Sequence, residues 1–413
     1  MKALLYNPGP VRWAVCKAIG RFWPGVYWSR LSGLRHSDVP IPELPTDEWV
    51  RLRTVLGGIC GTDLGLILQR NHPATVLRSL TSFPVILGHE NVAVVDTVGS
   101  AVPGWKVGQR VCVEPALSCV ARGIRPLCPP CAQGRFSLCE NVTGDKLPNG
   151  LMLGMNSFTS GSWAPYFVAH HSQLHAVPDG LDDETAVLVD PLACALHTVL
   201  RRIPDNEEQV LLIGGGIIGL GITACLRALG CRCRLAVLVR HPHQAERMRA
   251  TGADAVFLCP RGAPAAERYD QVAAAVGGRR IGALFGHQTM IGGFDVAYDC
   301  VGSGRSLTDC MNFVRARGTV IEAGTTQISI VDSTSLWMSE LTVLGACGRQ
   351  IERQDGQAKH TYELVFDLLT SGKLNVRGWL SCVYRPEEYG RALADLTSKD
   401  KARIIKAAFA HAS

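Results

Sequence analysis

The chain has 413 residues, 47% of them hydrophobic and 19% charged, with a formal net charge of +6. This length suggests two or three domains with ample chain for a core, and the composition is that of an ordinary globular protein without low-complexity tracts. The Lys and Arg residues are scattered, which argues against a nucleic-acid partner. Apolar runs such as Val210–Ile213 fall far short of the roughly 20 residues that a membrane helix needs. Met1–Pro10 lack the basic-then-apolar layout of a signal peptide, so a cytoplasmic protein is expected. Of the 16 cysteines, Cys119, Cys128, Cys131 and Cys139 cluster, while others (Cys225, Cys300, Cys310) sit alone in apolar runs. In a long cytosolic chain the first pattern points to metal ligands and the second to small buried hydrophobes.

In chain order, residues 1–191 alternate Gly- and Pro-rich turns with short strand-like runs: Trp49–Leu56, Asn91–Val98, Gln109–Glu114 and Trp163–Val168. Residues 192–345 change to strand–helix alternation. Val210–Ile213, Leu235–Val239 and Asp295–Cys300 read as strands, and Gly219–Leu229 and Gln244–Thr251 as helices. Such alternation implies a parallel sheet with right-handed crossovers. Residues 346–413 bring a helix at His360–Thr370, a strand at Leu380–Tyr384, a helix at Pro386–Leu396 and a strand-like run at Arg403–Phe409. Two stretches extend this plan: the aromatic-rich 11–45 and Arg279–Gly292. Each is either a surface excursion with its own small core or a loop shaping substrate access or a subunit contact.

Three groups of residues carry chemistry. Gly58-Ile-Cys-Gly-Thr-Asp63 offers a thiol, Gly88-His-Glu90 an imidazole and a carboxylate, and Asp190-Pro191 precedes the α/β section. Three protein ligands with an exchangeable fourth position define a catalytic zinc. Cys60 or His89 alone would more often be structural, and their joint context favours ligands. The second group is Cys119, Cys128, Cys131 and Cys139, with gaps of eight, two and seven residues. Four thiolates without histidine suit a closed tetrahedral structural zinc. Two disulfides or four idle thiols are the alternatives, and both fit a cytosolic loop poorly.

The third group is the run Val210–Gly219. Gly214, Gly216 and Gly219 have the G-x-G-x-x-G spacing, with Ile217 and Ile218 between them where a strand gives way to a helix. The glycines allow the tight turn, the approach of a pyrophosphate and close helix–strand packing. The helix N-terminus offers its N–H groups to the phosphates. An NAD site usually places an acidic residue about 20 positions on, at the ribose hydroxyl. Here that position is Val239, followed by Arg240 and His241. Arg240 suits a 2′-phosphate, with His241 adding to it, so NADP(H) is favoured over NAD(H). The alternative is a solvated arginine at a strand end.

With these motifs in this order, the chain closely resembles the zinc-containing alcohol dehydrogenase branch of the medium-chain dehydrogenase/reductase superfamily. Thr251-Gly-Ala-Asp254 and Asp299-Cys-Val-Gly302 extend the match over nearly the whole chain. The resemblance implies an α/β protein: a GroES-like β-rich catalytic domain (1–191 and 346–413) around a Rossmann doubly wound parallel sheet (192–345). It also implies an active site in the interdomain cleft, two zinc ions per chain and a homodimer or homotetramer. Carried over residue by residue, Cys60, His89 and Asp190 are the catalytic zinc ligands. Glu90 is the neighbour that stays behind or swaps onto the metal, Asp63 the carboxylate that orients the histidine, and Thr62 the hydroxyl that bonds the substrate oxygen. There are two departures. Gly65 stands where relatives place a relay histidine, leaving water, the cofactor ribose or His72. Cys119 lies further upstream than usual, with Arg125 at the short-spacing position.

The expected reaction is hydride transfer between a nicotinamide and an alcohol or carbonyl substrate, with zinc as Lewis acid. A catalytically silent protein on the same fold and a zinc-independent enoyl or quinone reductase are the rivals. Neither has a use for this set of metal ligands. Polyols, simple aliphatic or aromatic alcohols and a specialised metabolite all remain open as substrates.

Overall fold

The computed structural model describes residues 1–143, 147–354, 356–398 and 403–411. The chain divides into two compact units. One comprises Met1–Asp190, Arg349–Thr370 and Val376–Ser413, and the other Pro191–Gly348 with Ser371–Asn375.

The first unit is built on Trp49–Ile59, an 11-residue strand. It pairs antiparallel with Asn91–Val98, with Tyr166–His170 and with Lys406–Ala410 near the end of the chain. Arg110–Val113 and Leu174–Ala176 extend the sheet on one side, and Leu380–Tyr384 on the other. One core gathers Val50, Leu52, Val95, Val111 and Phe167. A second holds Leu4, Leu64, Trp163 and Phe409, under a small sheet of Leu34–Asp38, Lys2–Tyr6 and Val85–Ile86.

The aromatic-rich stretch after Pro10 is only partly a surface excursion. It forms a helix, Pro10–Ile19, opened by proline, whose fixed φ suits the first turn. Tyr27 and Trp28 pack against the second core, whereas Phe22 and Trp23 are exposed.

The second unit is a six-stranded sheet in the order Ala255–Leu258, Arg234–Val239, Gln209–Ile213, Phe294–Asp299, Val314–Glu322, Thr342–Gly345. Every pairing is parallel. The order places the first strand in the middle, the arrangement of a Rossmann sheet. Its central strands carry buried apolar runs, Val210–Ile213 and Val296–Tyr298, as parallel sheets generally do. Asp254 serves this fold: it accepts from Arg227 and from the Leu235 N–H, at 2.8 and 2.7 Å. Asp299 accepts from the N–H groups of Val301 and Gly302 and from Ser306, fixing the turn that leaves the fourth sheet strand. Arg279–Gly282 and Gln288–Ile291 form an antiparallel hairpin with Phe285 exposed at its tip.

Trp163 links several of these parts. It is fully buried, lies edge-on to Phe409 at 5.1 Å and donates its indole N–H to the Gly58 carbonyl at 3.0 Å. Trp163→Ala is expected to cost about 3–5 kcal/mol, measured by denaturant unfolding.

Candidate active site and metal centres

Cys60 follows directly on the Trp49–Ile59 strand and caps the helix Gly61–Ile67. Asp63, in the first turn, accepts from the Cys60 N–H at 2.9 Å and from the Gly88 N–H at 3.4 Å. It thereby ties the cysteine turn to the loop carrying His89. Its carboxylate lies 3.6 Å from His89 Nδ1, and both side chains are buried. Donor atoms of Cys60, His89 and Glu90 lie within 4.8 Å of one another. The Thr62 hydroxyl is 3.7 Å from the Cys60 sulfur.

Glu90 can occupy its place because residue 58 is glycine. A Cβ there would stand 2.2 Å from its carboxylate oxygen. Glu90 forms a buried ion pair with Lys406, from the strand near the chain end. Burial alone would lower the Lys406 ammonium, but Glu90 outweighs it and raises it. Burial likewise opposes protonation of His89, yet Asp63 and Cys60 hold its imidazole well above the ordinary value. The pocket therefore asks for positive charge. With the thiol ionised, one thiolate and the carboxylates of Asp63 and Glu90 face Lys406, leaving two negative charges for a dication to neutralise. One sulfur, one nitrogen and one oxygen donor suit zinc.

Asp190, expected as the third ligand, is not part of this group. Its carboxylate accepts from Arg349 at 2.6 and 2.7 Å and from the Tyr362 hydroxyl at 2.5 Å. Glu114 lies 3.7 Å from the same guanidinium. Burial pushes its carboxyl up to about 7 despite Arg349. Glu90, expected behind or alternating on the metal, is the carboxylate that stands with Cys60 and His89. Sequence reasoning missed Lys406, Arg349 and Tyr362. At Gly65, a side chain would meet Asn71 Oδ1 at 3.3 Å. His72 is exposed, and its Nδ1 accepts from the Ala74 N–H at 3.1 Å.

Cys119, Cys128, Cys131 and Cys139 are all buried, with sulfurs within 4.8 Å of one another. Cys119 and Cys139 are 3.6 Å apart at sulfur. That is far beyond a disulfide bond and near the roughly 3.8 Å edge of a zinc–thiolate tetrahedron. Three N–H groups point at sulfurs: Asn141 Nδ2 at Cys119, 3.1 Å, its backbone N–H at Cys139, 3.4 Å, and that of Glu140 at Cys128, 3.5 Å. Such bonds favour thiolates. The long gap after Cys119 is taken up around the buried Arg122, which donates to the carbonyls of Leu117, Val142, Leu147, Pro148 and Gly150.

In the second unit, Gly214 has φ +115° and ends the Gln209–Ile213 strand. Gly216 caps the helix Ile217–Ala228. A Cβ on Gly219 would meet the Gly214 carbonyl at 2.0 Å, whereas one on Gly216 would meet nothing within 4 Å. Gly219 is therefore required by packing, and the open side of Gly216 fits a dinucleotide pyrophosphate. Val239 is buried at the end of the neighbouring strand. Arg240 after it is exposed, and His241 caps the next helix and stacks on His243 at 5.5 Å.

Residues 46–179 match the family described as alcohol dehydrogenase GroES-like domain, and residues 218–371 the family described as zinc-binding dehydrogenase. The chain belongs to the zinc-containing alcohol dehydrogenase family, in the medium-chain dehydrogenase/reductase superfamily. Among curated relatives, probable D-xylulose reductase A of Aspergillus terreus is 27% identical over 367 residues, 88% of this chain and 92% of that one. D-xylulose reductase A of Aspergillus niger is 25% identical over 88% of this chain and 90% of its own. Two solved structures share the fold at 20% identity. 2R,3R-butanediol dehydrogenase from Bacillus subtilis has a TM-score of 0.71, covering 100% of this chain and 99% of its own. Galactitol-1-phosphate dehydrogenase from Escherichia coli has a TM-score of 0.70, covering all of both chains.

The dehydrogenase is thus a zinc-dependent, NAD(P)-linked enzyme of the alcohol dehydrogenase type. It has a structural four-cysteine site and a catalytic Cys/His/Glu site. No helix among the described residues is long and apolar enough to cross a membrane.

Because binding at a structural zinc site is itself folding free energy, Cys131→Ala is expected to lower the melting temperature and to release one zinc per chain by elemental analysis. The glycine turn separates packing from binding. Gly219→Ala should lower the melting temperature. Gly216→Ala should leave it unchanged while weakening dinucleotide binding, measured by titration.

Proposed function

We propose that the dehydrogenase interconverts a secondary hydroxyl of a polyhydroxy alcohol and the matching ketose, with NADP(H) as its preferred cofactor. The observation carrying this reading is the gathering of Cys60, His89 and Glu90 at one point, with Thr62 beside them. The substrate class draws support from curated relatives named D-xylulose reductase, which align over 88% of the chain.

In this reading Cys60, His89 and Glu90 hold the catalytic zinc. Asp63 orients the His89 ring, a task that metal-bound histidines generally assign to a neighbouring carboxylate or carbonyl. Lys406 fixes the carboxylate of Glu90. When bound, zinc supplies Lewis acidity, which eases loss of the hydroxyl proton. Thr62 would relay that proton, accepting it as its own hydroxyl proton leaves toward solvent. Arg349 and Tyr362 hold Asp190 as a buried anion beside the site, and Asp190 acts by positioning. Cys119, Cys128, Cys131 and Cys139 hold the second zinc. Gly214, Gly216, Ile217, Ile218 and Gly219 receive the pyrophosphate.

The cofactor preference rests on Val239 and Arg240. A buried valine offers the ribose hydroxyls no acceptor, and the exposed arginine after it is a partner for a 2′-phosphate, with His241 adjacent. A hydrogen bond to a charged group contributes about 1.5–3 kcal/mol, or roughly a tenfold to a hundredfold in affinity. Titrating NADPH and NADH into the protein should therefore give at least a tenfold lower Kd for NADPH, and Arg240→Ala should remove most of the difference. Equal affinity for both cofactors would overturn the assignment. Xylitol, sorbitol, butane-2,3-diol and ethanol, each tested with NADP, address the substrate class. Turnover of the polyols above that of ethanol is expected. Cys60→Ser, folded by circular dichroism, should give no turnover with any of them.

A further inference from the structure

We propose that Glu48, His170 and His171 form a third metal site, open to solvent and suited to a borderline dication such as Zn2+. It is distinct from the four-cysteine and catalytic centres. Donor atoms of the three side chains lie within 4.8 Å of one another. His170 is buried, His171 half-buried and Glu48 exposed. The group therefore has a fixed inner wall and an entry path from solvent.

Backbone pairing holds these residues together. Glu48 directly precedes the strand Trp49–Ile59, and His170 ends the strand Tyr166–His170, opposite Trp49 in the antiparallel register. The His171 N–H donates to the Glu48 carbonyl at 3.2 Å. The His170 and His171 rings lie 4.5 Å apart between centroids, and Trp49 packs edge-on to His170 at 5.9 Å. Ser172 occupies Nδ1 of His170, with its hydroxyl at 2.8 Å and its N–H at 3.2 Å. The nitrogen facing Glu48 is therefore Nε2, 3.9 Å from the carboxylate. Nδ1 accepts from that N–H, so Nε2 carries the ring proton toward Glu48. A metal at Nε2 takes the place of that proton, which moves to Nδ1, where the Ser172 hydroxyl accepts it as an outer contact of the metal-bound imidazole.

The chemistry fits. Two imidazoles and one carboxylate form a donor set that zinc takes at about 2.0–2.2 Å, which requires donors roughly 3.4 Å apart. Rotation of the exposed Glu48 side chain can bring its carboxylate closer to Nε2 than the present 3.9 Å. Three protein ligands leave positions for water, so binding should be reversible and weaker than at the closed thiolate site. Glu48 and Cys60 flank opposite ends of one 11-residue strand, roughly 36 Å apart by strand rise. Occupancy at the two places can be read independently.

The test uses the protein with its two zinc ions in place, dialysed against micromolar ZnCl2 and examined by elemental analysis and calorimetric titration with ZnCl2. We expect a third zinc per chain, with a micromolar Kd and removable by a weak chelator. Glu48→Gln, an exposed and isosteric change, and His171→Ala should each weaken it by at least about tenfold, the loss that even an outer contact causes. Both variants should keep two zinc ions and unchanged turnover. A stoichiometry that stays at two would overturn the site, as would a third zinc bound equally well by Glu48→Gln.

Discussion

Excess negative charge, folded out of water around His89, is the constraint on which the catalytic unit depends. Cys60, Asp63 and Glu90 converge there, and each isolated buried ion costs several kcal/mol unless it is compensated. Lys406 supplies one cation by way of Glu90. The raised imidazole of His89 expresses the remaining demand, which a dication meets. The constraint reaches the chain's topology. Lys406 belongs to Lys406–Ala410, which pairs with Trp49–Ile59 just before Cys60. The last strand must join the first unit because it carries the counter-ion for a carboxylate more than 300 residues earlier in the sequence. Gly58 answers the same need by leaving room for Glu90.

The four-cysteine lobe takes part in this arrangement as well. Ser137, between Cys131 and Cys139, exchanges hydrogen bonds with the Arg349 backbone through its hydroxyl, at 3.0 and 3.2 Å. The Ile351 N–H donates to the Gly134 carbonyl at 2.9 Å. Arg349 in turn grips Asp190 and faces Glu114. A closed metal cluster thus holds the backbone whose side chain anchors a buried anion, and loosening the lobe would release Arg349. This gives the closed centre a physical link to the Asp190 network beyond the local stability it contributes.

Local chemistry was legible in the sequence, and long-range partnership was not. The Gly214–Gly219 turn announces itself by its spacing between a strand and a helix, although a tight packing demand falls on Gly219 and none on Gly216, and a parallel sheet followed from strand–helix alternation. Asp63 was legible through the family resemblance, as the carboxylate beside the histidine; its bond to the Cys60 N–H, three residues away, came only with the structure. The cysteine loop was legible despite its long first gap, since four thiols so close in sequence read more readily as one metal site than as idle side chains. Lys406, Arg349 and Tyr362 have no such local signal. Each reaches its partner across the sheet or from a distant segment, and a lone lysine in an apolar strand looks like an edge residue. The exposed side chains after Pro10 and the hairpin at Arg279–Gly292 were recognisable as additions, but not the division of the aromatics between core and surface. That division depends on what packs above them.

Asp190 shows how a carboxylate that the resemblance places at the metal can be engaged by other partners in the fold. It sits where the resemblance places a metal ligand, yet two of its contacts come from Arg349 and one from Tyr362, all buried. Moving this carboxylate onto a metal would strip a buried guanidinium of its main anion, and breaking such a pair costs about 3–5 kcal/mol. Burial already pushes the neighbouring Glu114 up to about 7, so it is a poor substitute counter-ion. Glu90 faces no such penalty. A carboxylate has two oxygens, and one can stay with Lys406 while the other serves a metal. The longer glutamate, laid over the gap at Gly58, can therefore satisfy an ammonium and a dication together. Asp190, with Arg349 and Tyr362 on its oxygens, would have to give up a buried ion pair to enter a coordination sphere.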